Sequence, residues 1–283
     1  MKRTSILCAV LAAFSCSACA QDSRPTQPSA DSEKAAAARR LLLKSLAEQG
    51  ITIDFEKETV AIPVFVNDPP PPDPIEYLLV HRRGKKHEAI LVTEVKASLL
   101  NGALLLLGYR EGKNASYQER NPPPTREEVE KGAPVADVIP PQGMQLWMTV
   151  VRETAEGKRQ EDPIEEYLVD LATQRTVEGA RWVFLGGRMG QLYKNEPAVF
   201  IGDYEGNLIS SCYMSPENHI ATISHPRGPD DHNWVPNPAT VPPPGSKATL
   251  VFHKQQPALC KARDARIAAE SRQSAPKRAD PGK

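Results

Sequence analysis

The sequence is poor in aromatic residues, carries no excess of either charge and contains few cysteines. Aromatic side chains make up 6% of the 283 residues, and 35 Lys and Arg residues balance 35 Asp and Glu residues. A net charge of zero removes any global electrostatic reason to expect nucleic-acid binding. Three of the five cysteines, Cys8, Cys16 and Cys19, lie within the first 20 residues. The other two cannot form an iron–sulfur cluster or a four-cysteine zinc site.

Sequence motifs of common catalytic and phosphate-binding centres are also missing. The chain has no Gly-x-Ser-x-Gly turn for a nucleophilic serine and no Gly-x-x-x-x-Gly-Lys-Ser/Thr loop for phosphate. The pair His87-Glu88 is followed by Leu91 where a zinc-protease helix would need its second histidine. These absences favour a non-enzymatic protein without a cofactor, although they do not exclude catalysis.

Proline, in contrast, is abundant. The chain contains 27 prolines, against roughly 14 for average usage. Because apolar residues still make up 40% of the chain and cluster in runs, the composition predicts a packed domain with long, proline-stiffened loops.

Charge is distributed unevenly, since residues 254–283 carry eight basic and three acidic side chains. We predict that this segment is a basic low-complexity tail attached to an acidic body.

The N-terminus predicts export. Lys2 and Arg3 precede a short apolar run that ends at Phe14 and is too short to span a bilayer. Residues 1–20 are therefore predicted to be a signal peptide, with cleavage after Ala20 as one option. The other option is a bacterial lipobox that ends at Cys19, which would then carry a lipid anchor. Either way, residues 21–32 are predicted to be a polar tether, and the mature chain is expected in the periplasm or anchored to a membrane only by lipid.

Hydrophobic patterning predicts one domain after a leading helix. Residues 33–49 are strong helix formers, and residues 50–253 contain short apolar runs typical of strands. Within that domain, residues 98–107 predict a buried helix, and residues 112–143 predict a long loop rich in charge and proline. We expect an α+β fold, mainly antiparallel β with one buried helix, preceded by the N-terminal helix.

Two pairs of apolar runs are predicted to form hairpins. The first joins residues 75–81 to residues 87–95 about Gly84, and the second joins residues 197–204 to residues 207–213 about Gly206.

The first predicted hairpin supplies a candidate metal site. If its loop has three residues, His81 lies opposite His87, with Cβ atoms roughly 4.5–5.5 Å apart. Two imidazoles at that spacing could share a divalent transition metal, with further ligands from the later loop that contains His225, Asp231 and His232. A two-residue loop would put the histidines out of register. The alternative interpretation is a solvated hairpin end, because neighbouring cationic side chains would repel a metal ion.

Two other features leave alternatives open. Cys212 and Cys260 could form a disulfide in an oxidising compartment, or they could remain separate thiols. The sequence Asp73-Pro-Ile-Glu76 recurs as Asp162-Pro-Ile-Glu165. Because the segments that follow do not align, we interpret this recurrence as a coincidence rather than a duplication.

Several stretches, in order along about 200 residues, resemble the YdjY domain of exported bacterial proteins. They are Gly50-Ile-Thr-Ile-Asp54, Thr59-Val-Ala-Ile-Pro63, Ile75-Glu-Tyr-Leu-Leu-Val80, Lys86-His-Glu-Ala-Ile-Leu91, Ala103-Leu-Leu-Leu-Leu-Gly108, Trp182-Val-Phe-Leu-Gly186, Gly206-Asn-Leu-Ile-Ser210 and Pro242-Pro-Pro-Gly-Ser-Lys-Ala-Thr-Leu-Val251. The resemblance implies an exported domain with no established activity. Some relatives carry cysteine clusters that suggest iron–sulfur chemistry, but this chain lacks them.

The sequence therefore predicts an exported cell-envelope protein that acts as a non-enzymatic binding or scaffold module. Its partner would be an unidentified envelope protein or ligand, and not nucleic acid. The alternative is a metal-binding protein or metal-dependent enzyme that uses His81 and His87 together with the loop from His225 to His232.

Overall fold

The computed structural model describes residues 30–274. The predicted signal peptide, Cys19 and nearly all of the predicted tether lie outside the described residues. The described residues divide into two units, with the boundary between Arg39 and Arg40. The described residues of the first unit belong to the first helix, and the second unit contains the rest of that helix and every other described element.

Five α-helices lie within the described residues. They are α1 (Ala30–Glu48), α2 (Ala97–Leu106), α3 (Arg126–Glu130), α4 (Ile201–Glu205) and α5 (Ala258–Ser274). Two short 3-10 segments, Lys86–Glu88 and Ile164–Tyr167, each lead directly into a strand.

Most of the regular structure in the described part of the chain is β. The strands are β1 (Thr52–Asp54), β2 (Thr59–Val66), β3 (Tyr77–His81), β4 (Ala89–Thr93), β5 (Ser116–Glu119), β6 (Ala136–Ile139), β7 (Gln145–Glu153), β8 (Arg159–Pro163), β9 (Leu168–Asp170), β10 (Arg175–Thr176), β11 (Arg181–Phe184), β12 (Met189–Gly190), β13 (Val199–Phe200), β14 (Asn207–Ser210), β15 (Ala221–Ser224), β16 (Trp234–Pro236) and β17 (Lys247–His253).

Eight strands form a sheet that closes on itself, in the order β2-β17-β7-β11-β15-β14-β3-β4. Closure depends on the length of β2, because β17 pairs along one of its edges while the other edge is shared by β1 and β4. The sheet closes where β2 pairs with β4, with Phe65 opposite Val92 and Val66 opposite Leu91. A strand of eight residues is thus long enough to join both ends of the sheet.

The core follows the two-residue period of the strands. In β2, alternate residues are fully or almost fully buried, and β7 and β17 repeat the pattern with Met148 and Phe252 among their buried side chains. Helix α2 adds Leu100 and Leu104 to the same apolar cluster. In contrast, β3 and β4 are buried on both faces, which is typical of strands covered by other elements on either side.

The predicted fold class is wrong. The expected α+β fold, mainly antiparallel β with one buried helix, is instead a mostly β structure with a closed eight-stranded sheet and five helices in the described residues. Periodicity identifies strands but does not show which edges meet, so closure through the second edge of β2 was not predictable from the pattern alone.

Both predicted hairpins are also wrong. β3 and β4 pair in parallel, with Tyr77 opposite Ala89, because the segment between them runs back along β3. Gly84 lies in that connecting segment, close to the backbone of Gly206. A Cβ atom at position 84 would collide with the Gly206 carbonyl oxygen. In the second case, residues 201–205 form helix α4, and Gly206 ends the helix in the left-handed conformation (φ 78°) instead of making a strand turn.

Two segments predicted to lack regular structure contain some. Within residues 112–143, β5 and β6 pair as a separate two-stranded sheet, and Thr125 forms a capping box with Glu128 at the start of α3. The predicted basic tail begins with helix α5. Its buried side chains, Cys260, Arg263 and Ile267, recur at intervals of three and four residues, which places them on one helical face.

Candidate functional site

Parallel pairing of β3 and β4 brings two glutamates side by side. Glu76 immediately precedes the first residue of β3, and Glu88 immediately precedes the first residue of β4. Because Tyr77 lies opposite Ala89, the two glutamates are also opposite each other, and the Glu76 N–H donates to the Glu88 carbonyl at 3.1 Å.

The backbone of Glu76 is fixed from both sides. Its carbonyl accepts a hydrogen bond from the Ser211 N–H at 2.8 Å and another from the Ser210 hydroxyl at 3.1 Å. One residue earlier, the Ile75 N–H donates to the Trp234 carbonyl at 2.9 Å, which ties this segment to the loop that contains His232. Three separate parts of the chain therefore meet at Glu76.

These segments enclose a polar pocket of about 260 Å³, which we call the carboxylate–histidine pocket. Its lining is dominated by acidic and imidazole side chains, together with the end of the proline-rich segment: Pro72, Asp73, Pro74, Glu76, His87, Glu88, Asp231 and His232. The side chains of Glu76 and Glu88 are about one-fifth exposed, whereas His87 and His232 are largely exposed. The carboxylates thus lie deeper and the imidazoles lie at the rim.

Lys85 compensates part of the negative charge. Its Nζ lies 3.3 Å from an oxygen of Glu76 and 3.3 Å from an oxygen of Glu88, and 5.6 Å from the centre of the Tyr77 ring. Burial on its own would lower the pKa of Lys85, but Tyr77 and the two carboxylates outweigh burial and raise it. Lys85 is therefore held as a protonated ammonium.

The two carboxyl groups share a hydrogen bond and titrate as a pair. Burial, together with the hydrogen bond and negative charge of Glu88, raises the pKa of Glu76. Burial also opposes ionisation of Glu88, but the hydrogen bond from Glu76 and the positive charge of Lys85 outweigh burial and lower its pKa. The two pKa shifts are opposite in direction, so Glu76 binds a proton more readily than Glu88 does.

The loop from Asp230 to His232 supplies more ligand-type atoms, and two of its residues, Asp231 and His232, line the pocket. In this loop, one ligand atom from each of Asp230, Asp231 and His232 lies within 4.8 Å of the other two. His232 Nδ1 is in close contact with Asp231 Oδ1, and His87 Nε2 lies 3.1 Å from Glu88 Oε1. Imidazole nitrogens and carboxylate oxygens are the protein ligands that divalent transition metals such as zinc accept.

The nucleophile-type groups behind the pocket are held protonated. Cys212 is buried, its thiol lies 3.7 Å from the Glu76 carbonyl, and burial raises its pKa to about 12. Burial likewise raises the pKa of Tyr77 to about 12, although a hydrogen bond from Asn218 acts in the opposite direction. Neither group is a reactive nucleophile at neutral pH.

Three of the five residues predicted for the metal site come together, and two do not. His87, Asp231 and His232 line the carboxylate–histidine pocket. His81 lies opposite Thr93 at the far end of β3, where its Nδ1 accepts a hydrogen bond from the Arg83 N–H at 3.2 Å. The predicted pairing of His81 with His87 is therefore wrong, because it required an antiparallel hairpin.

His225 lies apart from this pocket. Its ring packs edge-on against Trp234, with ring centres 5.1 Å apart, and its Nε2 lies 3.0 Å from the Glu178 carbonyl. Burial lowers the pKa of His225, and these neighbours give the ring a packing role.

Of the two alternatives for Cys212 and Cys260, the described structure has separate thiols, and both are buried. Cys212 lies against Glu76 and Ser210, whereas Cys260 belongs to the buried face of α5.

The family model of the YdjY domain matches residues 51–253. This chain belongs to the YdjY domain family. Residues that line the carboxylate–histidine pocket all fall inside the matched range of the YdjY domain. Neither the curated proteins nor the solved structures contain a significant match.

No helix in the described part of this YdjY protein combines the length and the apolar character needed to cross a bilayer.

Neither Glu76 nor Glu88 is among the candidate site residues predicted from the sequence. His87 and Glu88 belong to a 3-10 segment in which their side chains meet. One signal could have revealed the site. Residues 77–80 and 89–92 are apolar without alternation, a pattern more typical of parallel strands than of an exposed hairpin.

Proposed function

We propose that this chain is an exported binding module of the cell envelope that holds a divalent transition-metal ion in the carboxylate–histidine pocket. The observation that carries this proposal is the placement of Glu76 and Glu88 opposite each other, with side chains about one-fifth exposed, in a pocket also lined by His87, Asp231 and His232. A divalent cation bound there would relieve the repulsion between the two carboxylates and could take further ligands from His87 and from Asp231 or His232.

A binding role is favoured over catalysis by the state of the neighbouring groups. Lys85 is held as an ammonium, and Cys212 and Tyr77 are held in their neutral forms by burial. These groups support the pocket electrostatically but supply neither a base nor a nucleophile.

The proposed location rests on the N-terminal sequence. Lys2, Arg3 and the apolar run that follows are typical of a signal peptide, and Cys19 is the residue that would carry a lipid if the lipobox option holds. The partner of such a module would be an envelope protein or a small ligand that reaches the exposed imidazoles of His87 and His232.

Calorimetric titration of the purified protein with zinc tests the proposal. We expect one zinc ion per chain, and we expect binding to weaken as the pH falls, because Glu76 must lose its proton to act as a ligand. Glu88→Gln, which keeps the shape of the side chain and removes its charge, should weaken zinc binding by roughly 10-fold to 100-fold.

The matched control is Glu127→Gln on helix α3, whose side chain is 78% exposed and lies outside the pocket lining. It should bind zinc as the unmodified chain does. Equal zinc affinity in the unmodified chain and the Glu88→Gln variant would refute the metal site.

A further inference from the structure

A second cavity, of about 480 Å³, lies between helix α5 and the sheet. We call it the α5 cavity. Its walls come from β7, from residues 178–181 at the start of β11 and from the buried face of α5, including Trp147, Glu165, Ala180, Cys260, Arg263 and Ile267. The volume is within the usual range for small-molecule sites. Nothing in the carboxylate–histidine pocket contributes to it.

A buried carboxyl group lies at the base of this cavity. Glu165 belongs to the 3-10 segment Ile164–Tyr167 and is 7% exposed. One oxygen of its carboxyl group, Oε1, accepts a hydrogen bond from the Trp182 indole N–H at 2.8 Å. Because burying an ionised carboxylate is costly unless it is compensated, its position in the wall of a cavity calls for a ligand that supplies charge or hydrogen-bond donors.

Arg263 compensates Glu165 only partly. Its Nε lies 3.0 Å from an oxygen of Glu166, and its Nη2 donates to the Val177 carbonyl. Its guanidinium is thus engaged by other acceptors. Burial raises the pKa of Glu165, and the opposing effects of its own backbone N–H, of Arg263 and of Trp182 are smaller.

The remaining wall is mixed, since Glu178, Arg181 and Asp264 add two acidic groups and one basic group, but part of it is suited to the apolar part of a ligand. Trp147 is half-buried on the outer face of β7, and Ile267 and Ala268 approach from α5. An aromatic ring beside a carboxylate is a favourable environment for an organic cation, which interacts with the face of the ring and with the negative charge.

We propose that the α5 cavity binds a small organic amine, with its ammonium group paired with the Glu165 carboxylate and its apolar part packed against Trp147. Helix α5 lies beyond residues 51–253, so one wall of this site lies outside the matched range of the YdjY domain. The inference does not depend on metal binding in the other pocket.

Benzylamine, benzyl alcohol and benzoate are matched probes that differ in the charge of the head group. Calorimetric or equilibrium-dialysis titration of the full chain should show one benzylamine site, with an affinity roughly tenfold or more above that for benzyl alcohol. Benzoate should bind weakest, because its carboxylate would face Glu165. Tighter binding of benzoate than of benzylamine would overturn the proposal and would assign the cavity to anions through Arg181 and Arg263.

Glu165→Gln removes the charge but keeps an oxygen that can accept from Trp182. It should reduce the affinity for benzylamine to that for benzyl alcohol, while Glu127→Gln leaves both affinities unchanged. Ala268→Phe places a large side chain in the cavity from α5 and should weaken binding of all three probes. This second variant tests the cavity even if Glu165→Gln does not fold. Unchanged benzylamine binding in either cavity variant would contradict the assignment.

Discussion

Glu76 and Glu165 each follow the sequence Asp-Pro-Ile, and the two glutamates line different kinds of cavity. In both places the isoleucine is fully buried, a tyrosine soon after it is fully buried, and the carboxyl pKa is raised, with burial as the main cause. What differs is the neighbouring element. Glu76 meets a second carboxyl group, Glu88, whereas Glu165 meets the indole of Trp182 and the apolar face of α5.

This difference shows that the same local sequence places a carboxyl group at two cavities but does not decide which groups surround it. Parallel strand pairing surrounds Glu76 with further acidic and imidazole groups, and for this reason we propose a metal ion there. At Glu165, helix α5 adds Arg263 and the apolar Ile267, and we propose an organic cation there. The segments after the two motifs also differ in structure, since Tyr77 begins strand β3 and Tyr167 ends a 3-10 segment.

The largest expected effect separates the two cavities through α5. Arg263→Ala removes a buried guanidinium, leaves the Val177 carbonyl without this donor and leaves Glu166 with Arg266 alone, so it should lower the free energy of unfolding by about 3 kcal/mol. Because these contacts anchor α5, whose side chains form one wall of the α5 cavity, the variant should also weaken benzylamine binding, although a positive charge near Glu165 is removed, while leaving zinc binding intact. Urea unfolding and the two titrations measure these effects.

Arg266→Ala is the matched control, because Arg266 contacts the same Glu166 oxygen at 2.6 Å but its side chain is 50% exposed. Its loss should cost less than about 1 kcal/mol. Equal destabilisation by the two variants would show that the buried position of Arg263 has no special role in holding α5.

The next effect concerns Lys85, which contacts both carboxylates of the carboxylate–histidine pocket. Lys85→Met removes a positive charge that competes with a metal ion, so zinc should bind roughly tenfold more tightly. Benzylamine binding should not change. Weaker zinc binding in this variant would instead mean that Lys85 holds the carboxylates in place for the metal.

A smaller effect compares the two glutamates through the pH dependence of stability. An acid whose pKa is raised on folding binds its proton more tightly in the folded state, so its contribution to stability declines as the pH rises from the unfolded pKa through the raised folded pKa. Glu165→Gln should therefore increase the free energy of unfolding at pH 7, by on the order of 1 kcal/mol, and this gain should vanish near pH 4.

Glu76→Gln should show a smaller gain, because Glu76 is less buried than Glu165 and retains Lys85 as a partner. Urea unfolding at the two pH values measures both variants. A larger gain for Glu76→Gln than for Glu165→Gln would reverse the order that burial predicts.

The smallest expected signal is the reactivity of the two thiols. Burial raises the pKa of both Cys212 and Cys260 to about 12, so iodoacetamide should label neither in the native chain at pH 8 and both in urea. In the Arg263→Ala variant, Cys260 alone should become reactive. Cys260 lies on the buried face of α5, whereas the burial of Cys212 does not depend on that helix. Peptide mass spectrometry distinguishes the two sites, and simultaneous labelling of Cys212 would show that the cavities are not separate.

Part of this architecture could be predicted from local sequence. The sequence predicts a buried helix over residues 98–107, and this segment corresponds to α2, because a regular apolar pattern and a nearby glycine mark such an element. The family was also predictable from motifs spread over the domain, and the family match confirms it.

The sites depended on information that local patterns do not contain. Glu76 and Glu88 meet because β3 and β4 are parallel, and that pairing depends on the return path past Gly84. The α5 cavity depends on a helix whose many charges suggested a solvated tail. Only the spacing of Cys260, Arg263 and Ile267 indicated a buried face, and a buried arginine is an unusual member of such a face.

We propose that the chain carries two independent cation sites of different chemistry. The most direct test titrates zinc and benzylamine into the Glu88→Gln and Glu165→Gln variants in a crossed calorimetric experiment. We expect that Glu88→Gln loses affinity for zinc alone and that Glu165→Gln loses affinity for benzylamine alone. Loss of both ligands in one variant, or retention of both ligands in both variants, would contradict it.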